Sequence, residues 1–208
     1  MKHKTLFSIA MTAILIAACG SRTVSLSPEP TAAIESSPMK TPTAAPSETP
    51  APLGDVKTYR DAKAGFALNY PAAWFIEDSA AQDAGESMAY TVSLFSWDRD
   101  SYTPPSKDLN TLPDGATKID ITVFNQGPGA LDEAVRQYKD QDSGTPVEFL
   151  KQEDWTLNNG EKAVYVESEG AFGVVATMIT LVNGKVVYVS GYGSLTLFKA
   201  IAFTLRAE

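Results

Sequence analysis

Two short acidic clusters carry the spacing in this chain that most directly suggests chemistry. The stretch DRDSY sets Asp98 and Asp100 two residues apart, and DQDSG does the same with Asp140 and Asp142. Carboxylates at i and i+2 can place hard oxygen ligands around a cation such as calcium. Neither cluster completes an EF-hand loop. Counted from Asp140, the sixth position is Thr145 where glycine is required, and the twelfth is Lys151 where glutamate is required. The four aspartates therefore stand as candidate metal ligands, beside the plainer reading of solvated loop carboxylates. Paired carboxylates also carry out glycoside hydrolysis, which needs no histidine, thiol or metal. A carboxylate-based, glycosidase-like hydrolase of the cell surface is thus one functional alternative. The sequence singles out no pair, so no catalytic residue is assigned and no cofactor is expected.

Much other chemistry is removed by a single segment. Lys2, His3 and Lys4 are followed by an uncharged run from Leu6 to Ala18 and then by Cys19, the one cysteine of the chain. A spanning helix needs about 20 apolar residues, whereas a run of about 10 to 14 suits a secretory signal. Ile16, Ala17, Ala18 and Cys19 closely resemble the bacterial lipobox. That resemblance implies that residues 1–18 are cleaved as a lipoprotein signal peptide and that Cys19 is lipidated. Each buried methylene contributes about 0.8 kcal/mol, so two or three acyl chains hold a protein on a membrane durably. Cleavage would also discard His3, the sole histidine. The mature chain would then lack an imidazole base, a Ser-His-Asp or Cys-His site, and a zinc site of the usual kind.

Behind Cys19 the composition changes. Eighteen of the thirty-five residues from 20 to 54 are Pro, Ser or Thr. So little apolar surface cannot offset chain entropy, and residues 19–54 read as a disordered tether with a reach of roughly 100 Å if extended. Residues 55–208 suffice for one globular domain. That domain holds thirteen Lys and Arg against twenty-two Asp and Glu. A net charge of this sign disfavours nucleic acid and anionic lipid heads as partners. The expected partners are the membrane, through the N-terminal lipid, and a protein or wall component of the envelope, with the domain itself a monomer. The long segment DRDSYTPPSKDLNTLPDGA between apolar runs is a candidate binding loop, in which Arg99, Tyr102 and Lys107 could form a recognition patch.

The elements that must position these residues read mostly as strands. Ala67 to Tyr70, Ala89 to Phe95 and Ile119 to Val123 alternate or are rich in β formers. Leu131, Val135 and Tyr138 recur at helical spacing, with Asp132 and Glu133 in the first turn, Lys139 near the end and Gly144 as a stop. Asn159-Gly160 and Asn183-Gly184 predict two-residue type I′ hairpins. In the second hairpin both faces are apolar: Val175, Ile179, Leu181, Val186 and Tyr188 lie on one, and Val174, Met178, Val182, Val187 and Val189 on the other. Such a pair belongs in the middle of a sheet covered on both sides. Leu195, Phe198 and Ile201 supply the apolar stripe of a C-terminal helix.

The stretch GFALNYPAAW, Gly65 to Trp74, resembles the opening of PsbP-like domains, and LDEAVRQYK and FKAIAFTLR follow in a similar order. The resemblance covers nearly all of residues 57 to 206. It implies an α+β fold, an antiparallel β-sheet covered by helices on both faces. In it Phe66, Tyr70 and Trp74 would serve as core anchors. It implies no activity, since one fold hosts many functions, and it carries over no metal site, because the mature chain lacks the histidines that bind metal in some relatives. The expected function is a membrane-anchored lipoprotein on the extracytoplasmic face of a bacterial cell membrane, acting as a noncatalytic binding or accessory module.

Overall fold

Alternating apolar residues in this chain build antiparallel sheet, and helical segments pack against it. The structure is a computed structural model that describes residues 52–78, 90–103, 112–125, 127–140, 146–171 and 173–208. The expected signal peptide, Cys19 and the tether as far as residue 51 lie outside the described residues. Leu53, at the end of the expected tether, already packs against the core.

Two antiparallel sheets are present among the described residues. The small one orders β1 (Val56–Asp61), β2 (Phe66–Pro71) and, after the rest of the chain, β10 (Arg206–Ala207). The large one contains β3 (Phe75–Asp78), β4 (Tyr90–Phe95), β5 (Lys118–Phe124), β6 (Phe149–Thr156), β7 (Lys162–Gly170), β8 (Gly173–Val182) and β9 (Lys185–Tyr192). Its spatial order is β3-β4-β5-β9-β8-β7-β6, which puts the doubly apolar hairpin β8-β9 in the interior, as its sequence predicts. β3 and β6 form the two edges.

Among the described residues two helices accompany the sheets: α1 (Leu131–Lys139) and α2 (Leu195–Ala202). Ala134, Val135 and Tyr138 of α1 pack with Val164, Val166, Ile179 and Val186. Phe198, Ile201 and Ala202 of α2 share the larger cluster with Met178, Val187 and Val189, joined by Phe66, Leu68 and Tyr70 of the small sheet. Burying a side chain such as Phe198 or Ile201 contributes about 1.5–3 kcal/mol. Ser194 caps α2 through its hydroxyl, which accepts from the Leu197 N–H at 3.3 Å. Gly191 permits the close seating of α2 on β9, since a Cβ there would lie 2.3 Å from the Phe198 ring.

The two Asn-Gly turns differ. Asn183 (φ 49) and Gly184 (φ 77) connect β8 to β9 as the type I′ turn expected. Asn183 also donates through Nδ2 to the carbonyls of Ala64 (3.2 Å) and Gly65 (2.9 Å), tying this tip to the β1-β2 turn. At the other turn the expectation fails. Residues 157–161 separate β6 from β7, and of the Asn-Gly pair Gly160 alone has positive φ. Leu157 explains the difference: it is buried in the large cluster and its N–H bonds to the Glu161 carbonyl at 2.9 Å, so the chain must travel further before it reverses.

Candidate functional site

Strand register places two rows of side chains across one face of the large sheet. Phe75 of β3 opposes Phe95 of β4, which opposes Lys118 of β5, which opposes Tyr192 of β9. The next row runs Glu77, Ser93, Asp120, Ser190. Directly opposed residues share a face and interact across the strands. Lys118 Nζ lies 5.7 Å from the centroids of both the Phe95 and Tyr192 rings, and it pairs with Asp120 at 2.8 Å. Ser93 Oγ donates to the other Asp120 oxygen at 2.6 Å. Burial, aided by the Asp120 charge, pushes the Tyr192 phenol up from its ordinary value.

At the outer end of these rows the sheet edge opens into a groove of about 290 Å³, lined by Phe75, Ile76, Glu77, Phe95, Asp98, Arg99 and Asp100. All four residues of β3 are exposed, Phe75 by 46% and Ile76 by 40%. Successive strand residues point to opposite faces. The groove takes in both Phe75 and Ile76 of this edge strand. Asp98 folds its own loop: its Oδ1 accepts from the Asp100 N–H at 3.1 Å and its Oδ2 from the Ser101 hydroxyl at 2.6 Å. These bonds, that of Ser101 foremost, hold its carboxyl below the usual carboxylate range. Arg99 pairs with Glu77, and its guanidinium sits 5.2 Å from the centroid of the Phe95 ring. Trp97 meets Phe95 and Tyr102 edge to face, with centroids 5.1 and 6.5 Å away.

A second polar cluster lies between the two sheets. Asp61 is 4% exposed. Its Oδ1 accepts from the N–H groups of Lys63 (2.9 Å) and Ala64 (2.8 Å), and its Oδ2 from the hydroxyls of Tyr90 (2.8 Å) and Tyr59 (3.4 Å). The Tyr59 hydroxyl also reaches Asp78 Oδ2 at 3.1 Å, so one phenol proton is shared between two carboxylates. Burial first, then these carboxylates, raises the phenols of Tyr59 and Tyr90 far above their ordinary value.

Among the residues singled out from sequence, Asp98, Arg99 and Asp100 meet in the groove, and Tyr102 stands behind it against Trp97. Asp140 occupies a different element, the C-terminal cap of α1, 3.5 Å from Arg136. Lys107 and Asp142 lie outside the described residues. Among the described residues no three of the acidic, histidine or cysteine side chains group as a metal site. Sequence reasoning missed Phe75, Ile76 and Glu77. Their signal was faint: four residues after Trp74, two apolar and two acidic, with no alternation to mark a strand.

No family model and no curated protein matches the chain. Among solved structures, the chain is similar to the solution structure of cyanobacterial PsbP (CyanoP) from Synechocystis sp. PCC 6803, with 16% sequence identity, a TM-score of 0.45, and coverage of 79% of this chain and 100% of that one.

Proposed function

We propose that this chain is a lipid-anchored protein of the extracytoplasmic face of a bacterial membrane, whose domain is a noncatalytic binding module for a protein or other envelope partner. The anchor rests on Ile16 to Cys19, and the PsbP-like character of the domain, with α1 and α2 on opposite faces of the large sheet, rests on GFALNYPAAW and on the two clusters those helices join. One observation carries the binding role: the groove beside β3, where Phe75 and Ile76 stand exposed next to the Asp98–Asp100 loop. Exposed large apolar side chains grouped at a polar rim mark interaction surfaces more often than isolated ones do. A hydrolase needs two carboxylates free to face a substrate. Asp61 and Asp78, which approach through Tyr59, do not suit that role, because Asp61 is buried and accepts from four internal donors.

Two measurements test this reading. Cys19→Ala, or globomycin, is expected to block maturation, so that a precursor still carrying residues 1–18 accumulates; unchanged processing would remove the anchor. A photoreactive amino acid at Phe75 in intact cells is expected to give one discrete adduct that the same probe at exposed Asp154 does not. Absence of an adduct, or identical adducts at both positions, would overturn the binding role.

A further inference from the structure

Resting on that binding role, the geometry points to the manner of binding. We propose that the groove accepts an extended, cationic segment of a partner protein, which adds to β3 as a further strand and displaces Arg99 from Glu77 with a cation of its own.

The edge comes first. Among the described residues β3 pairs with β4 on one side and ends the sheet on the other, and its four residues are exposed. An antiparallel edge strand presents outward N–H and C=O groups at alternate residues, which an extended peptide can take up. Natural proteins usually protect such an edge by charge or by shortness. Here the strand is short and its second half is Glu77-Asp78, yet its first half is Phe75-Ile76. The apolar half offers side-chain contact to a guest, and Glu77 selects the guest's charge.

That charge follows from the lining. Among the described residues that line the groove, Glu77, Asp98 and Asp100 stand with one cation, Arg99, which already sits on Glu77. Both partners of that ion pair are more than half exposed. An exposed pair of this kind holds weakly and exchanges readily. Arg99 therefore occupies the position that a lysine or arginine of the guest would take, with the Phe95 ring beneath it. A second copy of this chain is a poor occupant, since it would bring Glu77 and Asp78 to the same seam and carries the same net negative charge.

The test uses the full ¹⁵N-labelled chain in detergent micelles, titrated with the synthetic peptides TKVKVKT and TEVEVET and with TKVKVKT N-methylated at alternate residues. The expected result is that amides of β3 and of residues 97–102 shift with TKVKVKT, and that the acidic and N-methylated peptides bind at least about tenfold more weakly. Glu77→Lys should lose roughly tenfold, whereas Arg99→Ala should tighten binding roughly two- to fivefold, the range an exposed ion pair can hold back. Both residues are exposed, and retained amide dispersion would confirm that the variants fold. The proposal is overturned by equal binding of the basic and acidic peptides, by shifts confined to other strands, by weakened binding in Arg99→Ala, by no shift at millimolar peptide, or by a β3-dependent dimer in sedimentation. A discrete crosslink from Phe75 without peptide binding would defeat strand addition alone and leave the binding module standing.

Discussion

Raising the pH should unfold this domain through the two phenols that enclose Asp61. Tyr59 and Tyr90 are 9% and 3% exposed, and burial together with the nearby carboxylates raises the folded value of each well above the unfolded one. The sign follows directly. Below about pH 10 both phenols are protonated in the folded and unfolded chains alike, and their contribution is fully present; above it the unfolded chain releases protons that the folded one retains. Stability then falls by about 1.4 kcal/mol per pH unit for each phenol, and the pair removes about 4 kcal/mol by pH 11.5. Small domains hold about 5–15 kcal/mol in total, so a loss of this size is readily measured. The assay is urea unfolding followed by tryptophan fluorescence at half-unit steps from pH 8 to 11.5. Tyr90→Phe removes one titrating group from both states, so the alkaline slope should lessen by about 1.4 kcal/mol per unit even though the variant starts less stable. A stability flat across this range, or an unchanged slope in Tyr90→Phe, would refute the account of this cluster.

Three further outcomes are expected. Gly191→Ala, whose Cβ would meet the Phe198 ring at 2.3 Å, should lower stability by about 1–3 kcal/mol, and Phe198→Leu in the same chain should recover part of that loss in urea titrations. Asp61→Ala leaves the Tyr90 hydroxyl and two backbone N–H groups without their acceptor, while Tyr59 keeps Asp78, and should cost about 3–5 kcal/mol, with Asp61→Asn milder because one carbonyl oxygen remains; equal effects would argue against the bonds as the cause. Calcium or EDTA should leave the melting temperature unchanged, because Asp98 already spends its oxygens on Ser101 and Asp100; a calcium-dependent rise would revive the cation reading of Asp98 and Asp100.

Local pattern was enough wherever a residue's role depends on its near neighbours. The type I′ turn at Asn183-Gly184, the apolar faces of β8 and β9, and the stripes of α1 and α2 were all legible, because backbone conformation and periodicity are properties of short segments. The removal of histidine chemistry from the expected mature chain is likewise a matter of sequence. The tertiary structure decided what no window contains. It made Leu157 a core residue and so lengthened a turn that its Asn-Gly pair alone would have closed in two residues. Asp61, apart in sequence from Tyr90, became the acceptor of its hydroxyl. Asp98, Arg99 and Asp100 were visible as a loop, but β3 had to lie at the sheet edge before Phe75, Ile76 and Glu77 could join them in one groove. Strand order sets which residues meet across a sheet, and it is fixed by long-range pairing and burial, whereas sequence spacing reports on one strand at a time.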